Sequence, residues 1–285
     1  MSRRRAVVLI NSSRIEAVSA ARDLASILIQ HDFELVTPTE ISVDNIAPVS
    51  VDNIGEVEVA IVLGGDGTIL RGAEVTLLRG IPLLGINLGH VGFLAEVSKP
   101  SLADIAKSIV DKSYVYENRM VLGYSVMRDG NEISQGWALN EITVERERTT
   151  MVELFVEIDR RPLSHWGCDG LICSTPTGST AYAFSAGGPV LWPEIDALVL
   201  LPISAHALFS RPMVVSTQSE IVVTVESQVA LLSADALRKL PLVAGDRVVI
   251  TRNPHTIKLA HVNPTLFTDR LVAKFKLPIE GWRGE

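Results

Sequence analysis

The chain has 285 residues, of which 26 are Lys or Arg and 33 are Asp or Glu, for a formal net charge of −7. A hydrophobic fraction of 47% and a charged fraction of 21% exclude general disorder, and the length suggests one large or two medium domains. Two cysteines, Cys168 and Cys173, exclude a disulfide framework and an all-cysteine zinc site, and the net acidity argues against a nucleic-acid binder.

The first residues, MSRRRAVVLINSS, have the arginines and the apolar run of a secretory leader. The run over 6–10 is too short for one, and polar residues 11–14 end it, so it reads as a first strand. No apolar stretch approaches the ~20 residues that span a bilayer. A cytoplasmic protein with reduced thiols and no membrane partner is expected.

Residues 5–11 are rich in β-branched side chains. Residues 15–31 carry Ala17, Ala20, Ala21, Leu24, Ile27 and Leu28 at helical spacing. Strands are expected at 33–36 and 57–63, the latter running straight into Gly64-Gly65. A helix is expected over 68–79, stopped by Gly80, and a strand over 81–86. This alternation predicts βαβ units and a Rossmann-like parallel sheet. Residues 42–46 recur as 50–54, in a stretch read as a surface loop. After about residue 118 the texture changes to short strand-like runs at 122–127, 142–144, 152–158, 221–225 and 247–251, which predict a second, mainly β domain. The tail, FTDRLVAKFKLPIEGWRGE, returns to longer periodicity and is expected to pack back on the first domain. The expected division is 1–118 joined by 265–285, and 119–264.

Four segments carry chemistry. Gly64-Gly65-Asp66-Gly67-Thr68 sits where a strand ends and a helix begins, which is where ligands bind in open α/β sheets. Its glycines let a phosphate approach backbone N–H groups, and Thr68 is expected to cap the helix, whose N-terminus favours anions. A carboxylate there, Asp66, would repel a phosphate unless it serves as a base or meets a bridging cation. Residues 87–94, NLGHVGFL, follow the next strand; His90 is read as a solvent or packing histidine. Asn140-Glu141 suits a nucleoside, the amide reading a base edge and the carboxylate accepting from ribose hydroxyls, though alone the pair also suits a turn. The stretch 169–188, DGLICSTPTGSTAYAFSAGG, clusters hydroxyls at Ser174, Thr175, Thr177, Ser179 and Thr180 with small residues around Tyr182. Neutral donors and acceptors of this kind suit a nucleotide's sugar and base. Cys168 and Cys173 read as buried small hydrophobes.

In this order, GGDGT, NLGxxGFL, Asn140-Glu141, DGLICSTPTGSTAYAFSAGG, Ala205-His206-Ala207-Leu208 and FTDRL…GWRG resemble the NAD kinase family, most closely its actinobacterial branch. GGDGT alone is shared with diacylglycerol, sphingosine and phosphofructokinase-type kinases; with TPTGSTAY it is highly specific. The resemblance implies an N-terminal α/β domain, a C-terminal β-sandwich domain, and transfer of a phosphoryl group from ATP or inorganic polyphosphate to the 2′-hydroxyl of the adenosine ribose of NAD, giving NADP. It implies that Asp66 is the catalytic base, with Gly64, Gly65, Gly67 and Thr68 as the phosphate-donor loop. The NAD site it implies comprises Asp66, Gly67, Arg71, Asn140, Glu141, Asp169, Thr180, Ala181, Tyr182, Ser185 and Ala205. No metal ligand is assigned; Mg2+ is expected to arrive with the donor. Homo-oligomers, dimers or tetramers, are implied, with Asp169 reaching a neighbouring subunit's ligand.

Three positions depart from the family pattern. Cys168 stands where Arg or Ala often precedes Asp-Gly. Asp235-Ala236-Leu237 replaces a common Asp-Gly-Gln, so that position is left out of the site. Met151 stands where a cation is common, with Arg146 and Arg148 upstream, which leaves open the cation that meets the pyrophosphate. Two other readings of the same motifs are a lipid kinase sharing GGDGT and a non-catalytic NAD(P) sensor. The hydroxyl-rich loop disfavours the first and Asp66 disfavours the second.

Overall fold

The structure is a computed structural model that describes residues 3–39, 42–87, 92–94 and 101–279. His90, with its neighbours at 88–91, and the GWRG of the tail lie outside these residues. The chain divides into two units, Met1–Asn118 with Ile257–Glu285, and Arg119–Thr256.

The first unit opens with β1 (Arg4–Ile10), α1 (Ile15–Ile29), β2 (Phe33–Thr37), β3 (Ala47–Pro48), β4 (Val59–Leu63), α2 (Asp66–Thr76), β5 (Pro82–Ile86), α3 (Leu102–Asp111) and β6 (Val115–Arg119). The second contains β7 (Leu122–Arg128), β8 (Asn131–Ala138), β9 (Glu141–Glu145), β10 (Val152–Ile158), β11 (Arg161–Cys168), β12 (Gly170–Ser174), α4 (Tyr182–Ser185), β13 (Ala197–Ile203), β14 (Met213–Ser216), β15 (Ile221–Val225), β16 (Val229–Ala234), β17 (Arg238–Val243) and β18 (Arg247–Arg252). The chain then returns to the first unit with β19 (Ile257–His261) and α5 (Phe267–Phe275).

The sheet of the first unit has the order β3-β2-β1-β4-β5-β19-β6. The β1–β2, β1–β4, β4–β5 and β5–β19 pairs are parallel. Every residue of β4 is buried, as expected of a parallel strand covered on both faces. The stripe read from sequence buries Ala17, Ala20, Ala21, Leu24 and Leu28 of α1, joined by Ala25, in one cluster with Val8, Ile61 and Leu63 of the sheet. Burying leucines such as Leu24 and Leu28 contributes about 2 kcal/mol each. The strand order reverses between β1 and β4, so the carboxyl ends of these two strands form the topological switch point where such sheets bind ligands.

Three expectations are corrected here. The second helix begins at Asp66 and ends at Thr76, and its N-cap is Gly65. Thr68 is thus inside the first turn and does not cap the helix; with Gly65 in the extended cap conformation the turn already closes through Thr68 N and Ile69 N on Gly65 O. The return to the first unit starts at Ile257 rather than residue 265, because β19 pairs in parallel with β5. Helix α3, absent from the sequence reading, starts at a capping box in which Ser101 and Asp104 satisfy each other's backbone N–H.

The second unit consists of two six-stranded sheets, β11-β10-β15-β18-β7-β8 and β14-β13-β12-β9-β16-β17. The strand pairs of both are antiparallel. A single buried cluster draws Leu122, Leu154 and Trp166 from the first sheet and Val144, Cys173, Leu200 and Leu232 from the second, as in a sandwich. Cys168 and Cys173 are free and buried in it, and burial pushes both thiols up to about 12. The outer face of the second sheet carries a smaller cluster, in which Ala183 of α4 meets Ile172 and Val199.

Candidate active site

In the first unit, β4 delivers Gly64 and Gly65 to the switch point and α2 starts with Asp66. Gly64 N donates to Ile86 O, and Asn11 N to Leu63 O, so the ends of β1, β4 and β5 are tied together (3.1 and 3.0 Å). Asp66 is half-buried, Gly67 and Arg71 are exposed. The Asp66 carboxylate accepts hydrogen bonds from Phe93 N (3.2 Å) and Leu94 N (3.4 Å). Gly92 lies against the same carboxylate, where a Cβ would collide with Asp66 Oδ1. Gly92, Phe93 and Leu94 of the second glycine-rich segment thus hold the carboxylate of the first. Arg71 forms no ion pair among the described residues and leaves its charge to solvent or a ligand.

In the second unit, the Asn-Glu pair and the hydroxyl-rich stretch fold into one structure. β9 and β12 pair with Glu141 opposite Ser174. Thr175 N donates to Asn140 O (2.8 Å), and Thr175 Oγ1 to Leu139 O (2.6 Å). Gly178 packs on the Asn140 carbonyl so closely that a Cβ would overlap it. Ser179 Oγ bridges Pro176 O, Leu191 O and Leu191 N. Arg119 Nη1 donates to Thr177 Oγ1 at 3.3 Å. The hydroxyls of Ser174, Thr175, Thr177 and Ser179 are thus buried and spent on the scaffold, each such bond worth about 1 kcal/mol net. Reading them as ligand contacts is corrected by this burial. Thr180 and Ala181 are half-buried, and Tyr182 and Ser185 exposed; the Thr180 hydroxyl also donates to a scaffold carbonyl, Thr177 O, at 3.3 Å.

A cavity of about 220 Å³ opens beside this structure, lined by Glu141, Glu145, Arg146, Tyr182, Ala236 and Lys239 among others. Glu141 is buried, and its Oε2 has no hydrogen-bond partner. Burial, and then the charge of Asp235, push its carboxyl up to about 8, against a hydrogen bond from the Tyr182 backbone. A buried acceptor left open at a cavity wall is the arrangement a sugar hydroxyl satisfies. Asp169 pairs with Arg146 at 3.0 Å. Ala205 packs, partly buried, against the sandwich core.

Sequence reasoning missed Asp235 and Lys239. Asp235 is 4% exposed and accepts from Leu139 N and Asn140 N (2.7 Å each) and from Glu141 N (3.4 Å). Burial still raises its pKa above the usual carboxylate range. It fastens the backbone of the Asn-Glu pair from below rather than touching the cavity. Asp235 and Ala236 both have positive φ, 52° and 57°, in a hairpin closed by Leu237 N on Ala234 O. That is the backbone of a type I′ turn, for which Asp-Gly is the usual sequence. The signal was therefore present in the Asp-Ala dipeptide but masked by its alanine.

The model of the ATP-NAD kinase N-terminal domain matches residues 7–114, and that of the ATP-NAD kinase C-terminal domain matches 139–262. A protein from Corynebacterium glutamicum named NAD kinase is 49% identical over 208 residues, 72% of each chain. The chain belongs to the NAD kinase family. A relative from Thermobifida fusca, also named NAD kinase, is 49% identical over 71% of this chain, and the match spans 64% of the relative's own length. The family's fold extends to solved structures. A yeast NADH kinase complexed with NADH superposes with a TM-score of 0.89 at 19% identity, over 99% of this chain and 90% of that one. An Archaeoglobus fulgidus NAD kinase in complex with ATP gives 0.74 at 27% identity, over 96% and 98%.

Proposed function

We propose that this protein is an NAD kinase that transfers the terminal phosphoryl group of ATP, or of inorganic polyphosphate, to the 2′-hydroxyl of the adenosine ribose of NAD. The observation that carries the reading is the Asp66 carboxylate, set at the switch point of the parallel sheet and held by two backbone N–H groups. A carboxylate on a phosphate-type glycine turn suits a base for an alcohol. The 2′-oxygen forms a bond to the terminal phosphorus, the bond from that phosphorus to its bridging oxygen breaks, and the hydroxyl proton passes to Asp66. An alcohol is far less acidic than a carboxylic acid, whose reference pKa is about 4. Asp66 therefore holds the hydroxyl in line and accepts the proton late, as the loose transition state forms.

Recognition of NAD falls to Gly67, Arg71, Asn140, Glu141, Asp169, Thr180, Ala181, Tyr182, Ser185 and Ala205, with Gly64, Gly65, Gly67 and Thr68 lining the donor's path. Glu141 Oε2 is the open hydrogen-bonding atom for a ribose hydroxyl, and Arg146 and Lys239 are cations lining the same cavity for a pyrophosphate. Among the described residues no group of three or more His, Cys, Asp or Glu could hold a metal ion. Mg2+ in this reading belongs to the donor substrate, where it neutralises phosphate charge. With a net charge of −7, attraction of anionic substrates is local, from glycine N–H groups, arginines and that cation.

A lipid kinase would need an apolar cleft, and the cavity is lined by Glu141, Glu145, Arg146 and Lys239. No helix of the described residues is long and apolar enough to cross a membrane. A homo-oligomer belongs to this reading through the family resemblance; Trp192, Ile195, Leu208 and Phe209 are among the large apolar side chains left exposed. Asp169 would then exchange its Arg146 partner for a neighbour's ligand. The deciding experiment is a coupled NADP-formation assay with ATP or polyphosphate against NAD or NADH in all pairings. NADP formed from NAD with at least one donor is the expected result. Tight NAD binding by calorimetry with no product from any donor would instead make the protein a sensor.

A further inference from the structure

Asp66 does not orient itself. The peptide that links Phe93 to Leu94 points its N–H at Asp66 Oδ1 (3.4 Å), while its carbonyl accepts from Nη1 of Arg270 in α5 (3.3 Å). A guanidinium on the carbonyl of a peptide polarises the N–H at the other end, so the two hydrogen bonds strengthen each other. Arg270 is 3% exposed, and burying a guanidinium is costly unless it is paired. Here it meets Glu117 Oε1 at 3.5 Å and His261 Nε2 at 3.3 Å, and His261 Nε2 and Glu117 Oε1 stand 2.9 Å apart. The same helix grips the same loop residue through its ring: Phe93 lies against Phe267 and Phe275, with centroids 6.0 and 5.5 Å away. Gly92 completes the contact, since it has no room for a side chain beside the carboxylate.

We propose that Arg270 is a positioning residue for phosphoryl transfer, acting through the Phe93–Leu94 peptide to set the direction and hydrogen bonding of the Asp66 carboxylate. This rests on the reading of Asp66 as the base. A charge buried in an aromatic nest at the chain's far end then has a purpose beyond fastening the tail: it makes the base rigid without entering the substrate's space.

The test is steady-state kinetics with NAD and the active donor for Arg270→Met, Arg270→Lys and Gly92→Ala, each alone and, for Arg270→Met, combined with Asp66→Asn, alongside thermal melts. Misplacing a reacting group by a fraction of an ångström lowers kcat by about tenfold or more, while KM for NAD stays within about twofold. Arg270→Lys, which keeps a cation able to reach the carbonyl, should restore part of that loss, and Gly92→Ala should reproduce it. In the Asp66→Asn background Arg270→Met should change kcat by less than about twofold, because there is no carboxylate left to position. A folded Arg270→Met with normal kcat, or a loss equally large with and without Asp66, would overturn the proposal and leave Arg270 a structural residue. If Asp66→Asn alone keeps normal turnover, the base reading itself fails. Should Arg270→Met not fold, Arg270→Lys and Gly92→Ala decide the question by the same split between kcat and KM.

Discussion

The molecule handles the carboxylates of its two candidate site segments in opposite ways. Asp66 is half-exposed at the start of a helix and already has both oxygens occupied by backbone donors. Glu141 is buried, faces a second buried carboxylate, and keeps one oxygen without a partner. The first is held in a fixed direction but left accessible, as a group must be if a proton is to reach it. The second keeps an unpartnered oxygen that a ligand hydroxyl can pair with. Directional holding suits catalysis and deliberate under-satisfaction suits binding.

The sharpest way to break this contrast is Asp66→Asn. Turnover should fall by about 10²- to 10⁴-fold with the fold kept and stability lowered by only about 1 kcal/mol, since the amide keeps one of the two acceptor oxygens, read from NADP formation and a melt. A loss confined to KM would assign Asp66 to binding and dissolve the distinction. The next largest effect is expected for Asp235→Ala. Three buried N–H groups at 139–141 would lose their acceptor, for a cost of about 3 kcal/mol in a denaturant titration. KM for NAD should rise more than kcat falls, since Asp235 serves the binding side.

Glu141→Gln sharpens the comparison through pH. The folded carboxyl titrates at about 8, above its ordinary 4.5, so the folded state binds the proton more tightly than the unfolded chain. The contribution is complete below the unfolded value and is lost as pH rises through 8. The wild type should therefore lose stability relative to the variant progressively between about pH 5 and 9. Parallel stability curves for the two proteins would show that Glu141 is ionised on folding. The smallest effect belongs to Ala236→Gly. Its positive φ strains an L-residue, and glycine should raise stability by about 1 kcal/mol, measured as a higher denaturation midpoint.

What was legible in the sequence were the features set by neighbours along the chain. The alternation of strand and helix, the apolar stripe of α1 and the glycine turn after β4 depend on local periodicity and backbone freedom, and the structure places all three. The capping box of α3 was equally local and was passed over. The candidate site was legible as a set of residue types: GGDGT ends at the switch point of the parallel sheet, and Asn-Glu and the hydroxyl-rich run fold against each other beside a cavity.

Only the tertiary structure decided which partners each of those residues meets. Hydroxyls at Ser174, Thr175, Thr177 and Ser179 look in sequence like Ser185, yet the former are buried on scaffold carbonyls and donors and Ser185 is exposed; Thr180 lies between, half-buried with its hydroxyl on Thr177 O. Asp235 and Arg270 were invisible as partners because they act on Asn140 and Phe93 across 95 and 177 positions of chain. The placement of β19 beside β5, which carries α5 back to the glycine loops of its unit, is likewise non-local. Sequence periodicity records which way a side chain faces relative to its neighbours in the chain; which polar group it meets is set by packing between segments that no local pattern connects.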